Sequence, residues 1–138
     1  MKRVIVTGSR LWPSRTVICD VLKELDPELV IHGNARGADQ FAQDWAIANE
    51  RDFHGFTAKW RVPAPIAGRM FNWAAGHIRN GRMLDAYPGA LVVAFPFGEA
   101  KGTRDCIQQA IERWHEVRVY NLKGEVIQHA MPDAADFG

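Results

Sequence analysis

Apolar residues along the chain alternate between a period of two and a period near 3.6. Arg3 to Thr7 is a short β-branched run that predicts a buried strand, and Gly8-Ser9-Arg10 breaks it. Pro13-Ser14 opens a helix carrying Val17, Ile18, Val21, Leu22 and Leu25 on one face, and Pro27 closes it. Leu29 to His32 predicts a second strand. After the loop Gly33 to Gly37, residues Ala38, Phe41, Ala42, Trp45, Ala46 and Ala48 predict a helix reaching about Glu50. Phe53 to Thr57 predicts a third strand. Trp60 to Phe71, with two prolines and a glycine, reads as a long loop, a feature often functional in a small domain.

A helix is expected from about Asn72 to Ala86. Ala90 to Phe95 is apolar throughout, as a strand buried on both faces requires, and Pro96-Phe97-Gly98 ends it. A further helix follows Gly102-Thr103, with Cys106, Ile107, Ala110, Ile111 and Trp114 on one face. Val117 to Tyr120 is a fifth strand, Asn121 to Gly124 a turn, and Glu125 to His129 a candidate antiparallel strand. Strands alternating with helices imply an α/β fold, a mostly parallel sheet of about five strands covered by helices on both faces. Residues 1–130 are expected to form one domain and 131–138 a flexible tail.

The length of 138 residues fits one domain. Hydrophobic residues at 47% and charged residues at 24% exclude a disordered or collagen-like chain, and the longest apolar runs are far too short for a membrane span. The basic start Met1-Lys2-Arg3 is followed by only three apolar residues before Thr7-Gly8, which is no signal sequence, so a cytoplasmic location is expected. Cys19 and Cys106 make no CxxC pair and read as reduced, buried residues. No histidine or cysteine pair has metal-site spacing, and neither a metal nor a resident cofactor is expected.

A net charge of +1 argues against a general polyanion binder. The charges are uneven, however. No acidic residue occurs between Phe53 and Leu84, a segment that holds Lys59, Arg61, Arg69, Arg79 and Arg82. That segment is either a solvated basic surface or an anion site.

Open parallel sheets bind ligands at the carboxyl ends of their strands. Four glycine-containing segments follow strands or open helices here: Gly8-Ser9-Arg10, Gly33-Asn34-Ala35-Arg36-Gly37, Ala75-Gly76-His77-Ile78-Arg79-Asn80, and Gly98 to Gly102-Thr103. Glycine admits an anion close to backbone N–H groups, and a helix start adds positive potential. Arg10, Arg36, Arg79 and Arg104 fall in or beside these segments. Together they point to a phosphate or ribose-phosphate site. GxGxxG, GxxxxGK[ST] and GxSxG are all absent from the sequence, which disfavours a nicotinamide dehydrogenase, a P-loop ATPase and an α/β-hydrolase. Ser9 reads as an anion ligand, His32 as a structural group and His77 as a candidate ligand contact. Trp45 and Trp114 are expected in the core. Trp12 and Trp60 either stack on a base or cover the core edge, and Trp73 is a weaker candidate.

The segments Val6-Thr7-Gly8-Ser9-Arg10 with Trp12, His32 to Asp39, Ala75 to Asn80 with Met83, and Ala94-Phe95-Pro96 with Gly98 and Gly102-Thr103 resemble the SLOG superfamily, most closely its YspA-type, cpYpsA-related branch. The resemblance covers about residues 3 to 120. It implies a Rossmann-like three-layer fold, a nucleotide or nucleotide-derived ligand, and a homo-oligomer, which would also cover sheet edges. The superfamily includes phosphoribohydrolases, which release a base from a nucleoside monophosphate, and a DNA-processing branch. The hydrolase branch carries Pro-Gly-Gly-x-Gly-Thr-x-x-Glu. Here Phe97 replaces the first glycine of the pair, two further residues separate Gly98 from Gly102, and Cys106 holds the place of the glutamate.

Three readings follow. The first is a sensor or sequestering module for a nucleotide-like molecule, ribose-phosphate or ADP-ribose in kind, cradled by Gly8, Ser9, Arg10, Gly33, Asn34, Arg36, Gly37, Asp39, Arg79, Asn80, Gly98, Gly102 and Thr103. The second is an enzyme cutting an N-glycosidic bond with Asp39 or Asp105 as the working carboxylate, each expected in the first turn of its helix, where capping or loop bracing is the competing role. The third is single-stranded nucleic-acid binding through the acid-free segment, which the near-zero net charge disfavours. The missing glutamate favours binding over catalysis.

Overall fold

The structure, a computed structural model, describes residues 2–66, 69–71 and 74–132. Among these, strands β1 (Arg3–Gly8), β2 (Leu29–His32), β3 (Asp52–Gly55), β6 (Leu91–Phe95), β7 (Val117–Tyr120) and β8 (Val126–Ala130) form one sheet in the order β3-β2-β1-β6-β7-β8. Strands β4 (Arg61–Ile66) and β5 (Arg69–Phe71) pair separately, and the helices are α1 (Arg15–Leu25), α2 (Ala38–Ala48), α3 (Ala75–Ala86) and α4 (Lys101–Glu112). All neighbours in the large sheet are parallel except β7 and β8.

The central strands are apolar because both faces are covered. Val4, Val6, Val30, Val93 and Phe95 pack beneath α1 and α2. Ile5, Ile31, Val92 and Ala94 pack beneath α3 and α4 with Met83, Leu84, Cys106 and Ala110. Each fully buried aliphatic side chain contributes about 1.5–3 kcal/mol. Helix α1 starts where the sequence marks it: the Ser14 side chain accepts the Val17 N–H at 3.2 Å, a cap worth about 1 kcal/mol. Asp26, in the left-handed conformation, ends it before Pro27.

The order of strands reverses between β1 and β6. The chain leaves β1 toward β2 on one side and leaves β6 toward β7 on the other, so the segments after these two strands part and open a crevice at their carboxyl ends.

Two expectations about elements change. Trp60 to Phe71 is not an irregular loop, because β4 and β5 pair antiparallel between Arg61 and Phe71 and between Ile66 and Arg69. Pro63 and Pro65 lie between the two paired positions, where the register shifts and the strand forms no regular ladder that needs their missing donors. Helix α4 starts at Lys101, two residues before the end of the Gly102-Thr103 pair, and closes at Glu112, so Trp114 lies beyond it and is 48% exposed rather than in the core. Trp73, the side chains of Arg61 and Arg69, and residues 133–138 of the expected tail lie outside the described residues.

Candidate functional site

The crevice is an open cleft of about 1190 Å3. Its floor is the end of β1. A Cβ on Gly8 would lie 2.3 Å from Ala38 Cβ and 3.1 Å from the Phe95 carbonyl oxygen, so the start of α2 can sit on β1 only because residue 8 is glycine. Gly37 completes that seat. Its φ is +70°, and a Cβ there would come within 2.5 Å of the Ser9 carbonyl oxygen. Gly37 therefore seats the helix and does not line the cleft, unlike the other residues expected to bind ligand. Ser9 is 8% exposed, and its Oγ accepts the Leu11 N–H at 3.1 Å.

Asp39, the second residue of α2, forms one wall. Its Oδ2 accepts the Gly33 N–H at 3.0 Å and the Ala35 N–H at 3.2 Å, bracing the loop after β2. Oδ1 has no hydrogen-bond partner among the described residues. The carboxyl is 4% exposed, and burial pushes its pKa up to about 7 against the pull of the two N–H donors and of Arg79. His32 lies behind this wall and outside the cleft. It is 1% exposed, takes the Asn34 N–H at Nδ1 and is kept neutral by burial.

Arg79 spans the floor from α3. Its Nη1 donates to the Gly33 carbonyl oxygen at 2.6 Å and its Nε to Asn80 Oδ1 at 2.8 Å. A Cβ on Gly33 would stand 2.7 Å from that Nη1, so this glycine makes room for a guanidinium. Arg79 is thus a structural tie as well as a cation of the site.

The opposite wall joins α3 to α4. His77 and Asn80 belong to the first turns of α3, inside the helix expected from about Asn72. Asp105, the fifth residue of α4 and so one turn deeper than expected, accepts from His77 Nδ1 at 2.7 Å, Asn80 Nδ2 at 3.0 Å and Gln109 Nε2 at 2.9 Å. Although partial burial raises it, these donors hold its pKa below the ordinary carboxylate value. Gln109 also donates to the His77 carbonyl oxygen. Sequence reasoning missed Gln109, although its place four residues after Asp105 was a readable signal.

Helices α2, α3 and α4 all begin at this cleft, and the N-cap of none gives a side-chain hydrogen bond, whereas α1 has Ser14. The Lys101, Gly102 and Thr103 N–H groups precede the first α4 backbone bond, from Arg104 to Ala100. Arg10, Arg36 and Lys101 are exposed and line the cleft, and Arg10 and Arg36 make no ion pair among the described residues. Arg104 does not line it. Beside it a recess of about 250 Å3 gathers Lys59, Arg79 and Arg82 from the acid-free segment.

The aromatic residues separate. Trp12 is 2% exposed and packs edge-on against Phe95 at 5.3 Å, so it belongs to the core, as does Trp45 at 8%. Trp60 is 47% exposed, lines the cleft and rests on Gly76, where a Cβ would stand 2.8 Å from its Cη2. Cys106 is fully buried, with its thiol pushed up to about 12 by burial, so it supplies no anion where the hydrolases carry their glutamate.

No helix among the described residues is long and apolar enough to cross a membrane. Residues 2–62 match the YspA, cpYpsA-related SLOG family. The Gene 61 protein of Mycobacterium phage D29 is 40% identical over 119 residues, covering 80% of this chain and 89% of that protein. The crystal structure of DNA processing protein A from Streptococcus pneumoniae superposes on 87% of this chain with a TM-score of 0.64 at 18% identity. The chain spans 50% of that protein's length, and the likeness is one of fold. With the seat of α2 on Gly8, the loop braced by Asp39 and the Arg79 tie in place, the chain belongs to the YspA, cpYpsA-related SLOG family.

Proposed function

We propose that the cleft binds a nucleotide or nucleotide-derived small molecule of the ribose-phosphate or ADP-ribose kind, as a sensing or sequestering module. One observation carries this reading: three helix starts without side-chain caps share one cleft with the guanidinium groups of Arg10 and Arg36, which form no ion pair among the described residues. Positive helix ends and available arginines favour a phosphate. Trp60 offers a face for the base and the Asp39 carboxyl an acceptor for a ribose hydroxyl. The buried, neutral Cys106 speaks against N-glycosidic cleavage by the route of the phosphoribohydrolases.

The test is thermal unfolding against AMP, ADP-ribose, NAD, cyclic nucleotides and a short single-stranded DNA. A ligand at about 100 times its Kd adds about 2.7 kcal/mol, several degrees in Tm for a domain of this size. A shift with one nucleotide class that Arg36→Ala removes is the expected result. A shift with DNA alone, falling steeply as salt rises, would replace the reading with nucleic-acid binding and bring the chain nearer to the pneumococcal DNA processing protein in more than fold.

A further inference from the structure

We propose that the cleft is also a hydrolytic site, in which His77 is the general base and Asp105 its positioning residue, acting on the phosphoanhydride of a nucleotide bound as described above. The inference rests on that binding reading and adds a reaction to it.

The imidazole is oriented for the task. Its Nδ1 lies 2.7 Å from Asp105 Oδ1 and 3.0 Å from Gln109 Nε2. The two amide protons of Gln109 have the His77 carbonyl and Asp105 Oδ2 as acceptors, both at 2.9 Å, and the carboxylate only accepts, so the ring proton sits on Nδ1 and the lone pair on Nε2. No hydrogen bond among the described residues reaches Nε2, and the side chain is 64% exposed while it lines the cleft. Asp105 is itself fixed by Asn80 and Gln109, so the pair is braced from both helices.

The position of the pair selects the bond. Asp105 stands one turn along α4 from Lys101, so His77 lies beside the start of α4, where Gly98, Lys101, Gly102 and Thr103 line the cleft. A Cβ on Gly102 would meet nothing within 4 Å. Asp39, 4% exposed and with Oδ1 unpartnered, lines the same cleft and offers a second fixed contact for the ligand. A phosphate held at the α4 start brings phosphorus, rather than the anomeric carbon, nearest the imidazole.

A single base suffices when the leaving oxygen is already acidic. In a phosphoanhydride the leaving group is a phosphate monoester, whose second pKa is about 6. Water attacks one phosphorus while His77 Nε2 takes its proton. The new P–O bond forms, the bridging P–O bond breaks, and its electron pair leaves on the second phosphate. His77 then releases the proton to solvent, and two phosphate monoesters result.

The experiment follows ADP-ribose and NAD with the purified protein by phosphorus NMR, alongside their Kd values. At least one pyrophosphate signal is expected to give way to two monoester signals. His77→Gln should lower kcat by at least about 100-fold with Kd unchanged. Asp105→Asn should lower kcat with KM held, which a merely structural role would not produce. Binding without cleavage, or cleavage that His77→Gln leaves intact, overturns the hydrolytic inference while the binding reading stands. Absence of binding overturns both.

Discussion

Asp39 and Asp105 line one cleft from opposite walls, each near the start of a helix, and their acidities move in opposite directions. Asp39 is buried, takes two backbone N–H groups on one oxygen and has no partner among the described residues on the other, and its pKa rises to about 7. Asp105 is more exposed, takes three side-chain donors across both oxygens, and its pKa falls. Burial dominates where hydrogen bonding is incomplete, and donors dominate where water still reaches the group. One wall therefore holds a carboxyl that exchanges its proton near neutrality. The other holds a permanent anion that orients an imidazole. A site built from two such carboxyls can separate holding a ligand from moving a proton.

The largest expected effect tests the buried wall. A shift from 3.8 to about 7 corresponds to about 4 kcal/mol, at about 1.36 kcal/mol per pKa unit. Because the folded value is raised, this group costs nothing below its unfolded pKa. Its penalty grows as pH rises and is complete above about 7. Asp39→Asn can turn its one carbonyl oxygen to both loop N–H groups, which share Oδ2 in the wild type. It buries an unpartnered amide NH2 in place of Oδ1 at a cost of about 1–3 kcal/mol, and it escapes the ionisation penalty. Urea unfolding should find the variant less stable than wild type near about pH 3, where the wild-type penalty is close to zero, and more stable near about pH 8. Parallel stability curves would show that the carboxyl is solvated and that the two walls are alike.

The glycines divide in the same way. Gly8→Ala is expected to destabilise by about 1–3 kcal/mol, because the added methyl meets Ala38 Cβ at 2.3 Å and the Phe95 carbonyl oxygen at 3.1 Å, and backbone gives way poorly. The shift of the urea midpoint at constant m-value measures it. An effect near zero would mean that α2 slides on β1 and that the Asp39 wall is soft.

Much of this arrangement was legible in the chain. Leu29–His32 and Val117–Tyr120 are strands over the residues that the apolar pattern marks, and the β8 return follows its turn. The β4–β5 hairpin was hidden because its two prolines read as loop. Trp114 was misplaced because α4 stops at Glu112 and the chain turns through a left-handed residue at 114, which helical spacing does not register. The glycine-rich segments marked the cleft, but their sequence could not separate Gly8 and Gly37, which admit a helix, from Gly102, which faces open space. Nor could it separate Asp39 from Asp105, since depth and donors come from residues distant in sequence such as Arg79, Asn80 and His77.

The smallest stability effect makes the sharpest test of the open wall. Gly102 lies in the first turn of α4, and a Cβ there meets nothing within 4 Å. Gly102→Ala should therefore stabilise the free protein, by up to about 0.5–1 kcal/mol, because alanine loses less backbone freedom on folding. The same methyl would project toward the place assigned to the phosphate, so the affinity for the nucleotide identified by thermal shift should fall while Tm rises. Calorimetric titration of the variant beside its unfolding curve separates the two effects. If affinity is unchanged while stability rises, the space at Gly102 is ordinary solvent, and the phosphate sits instead at the Arg10 and Arg36 side of the cleft.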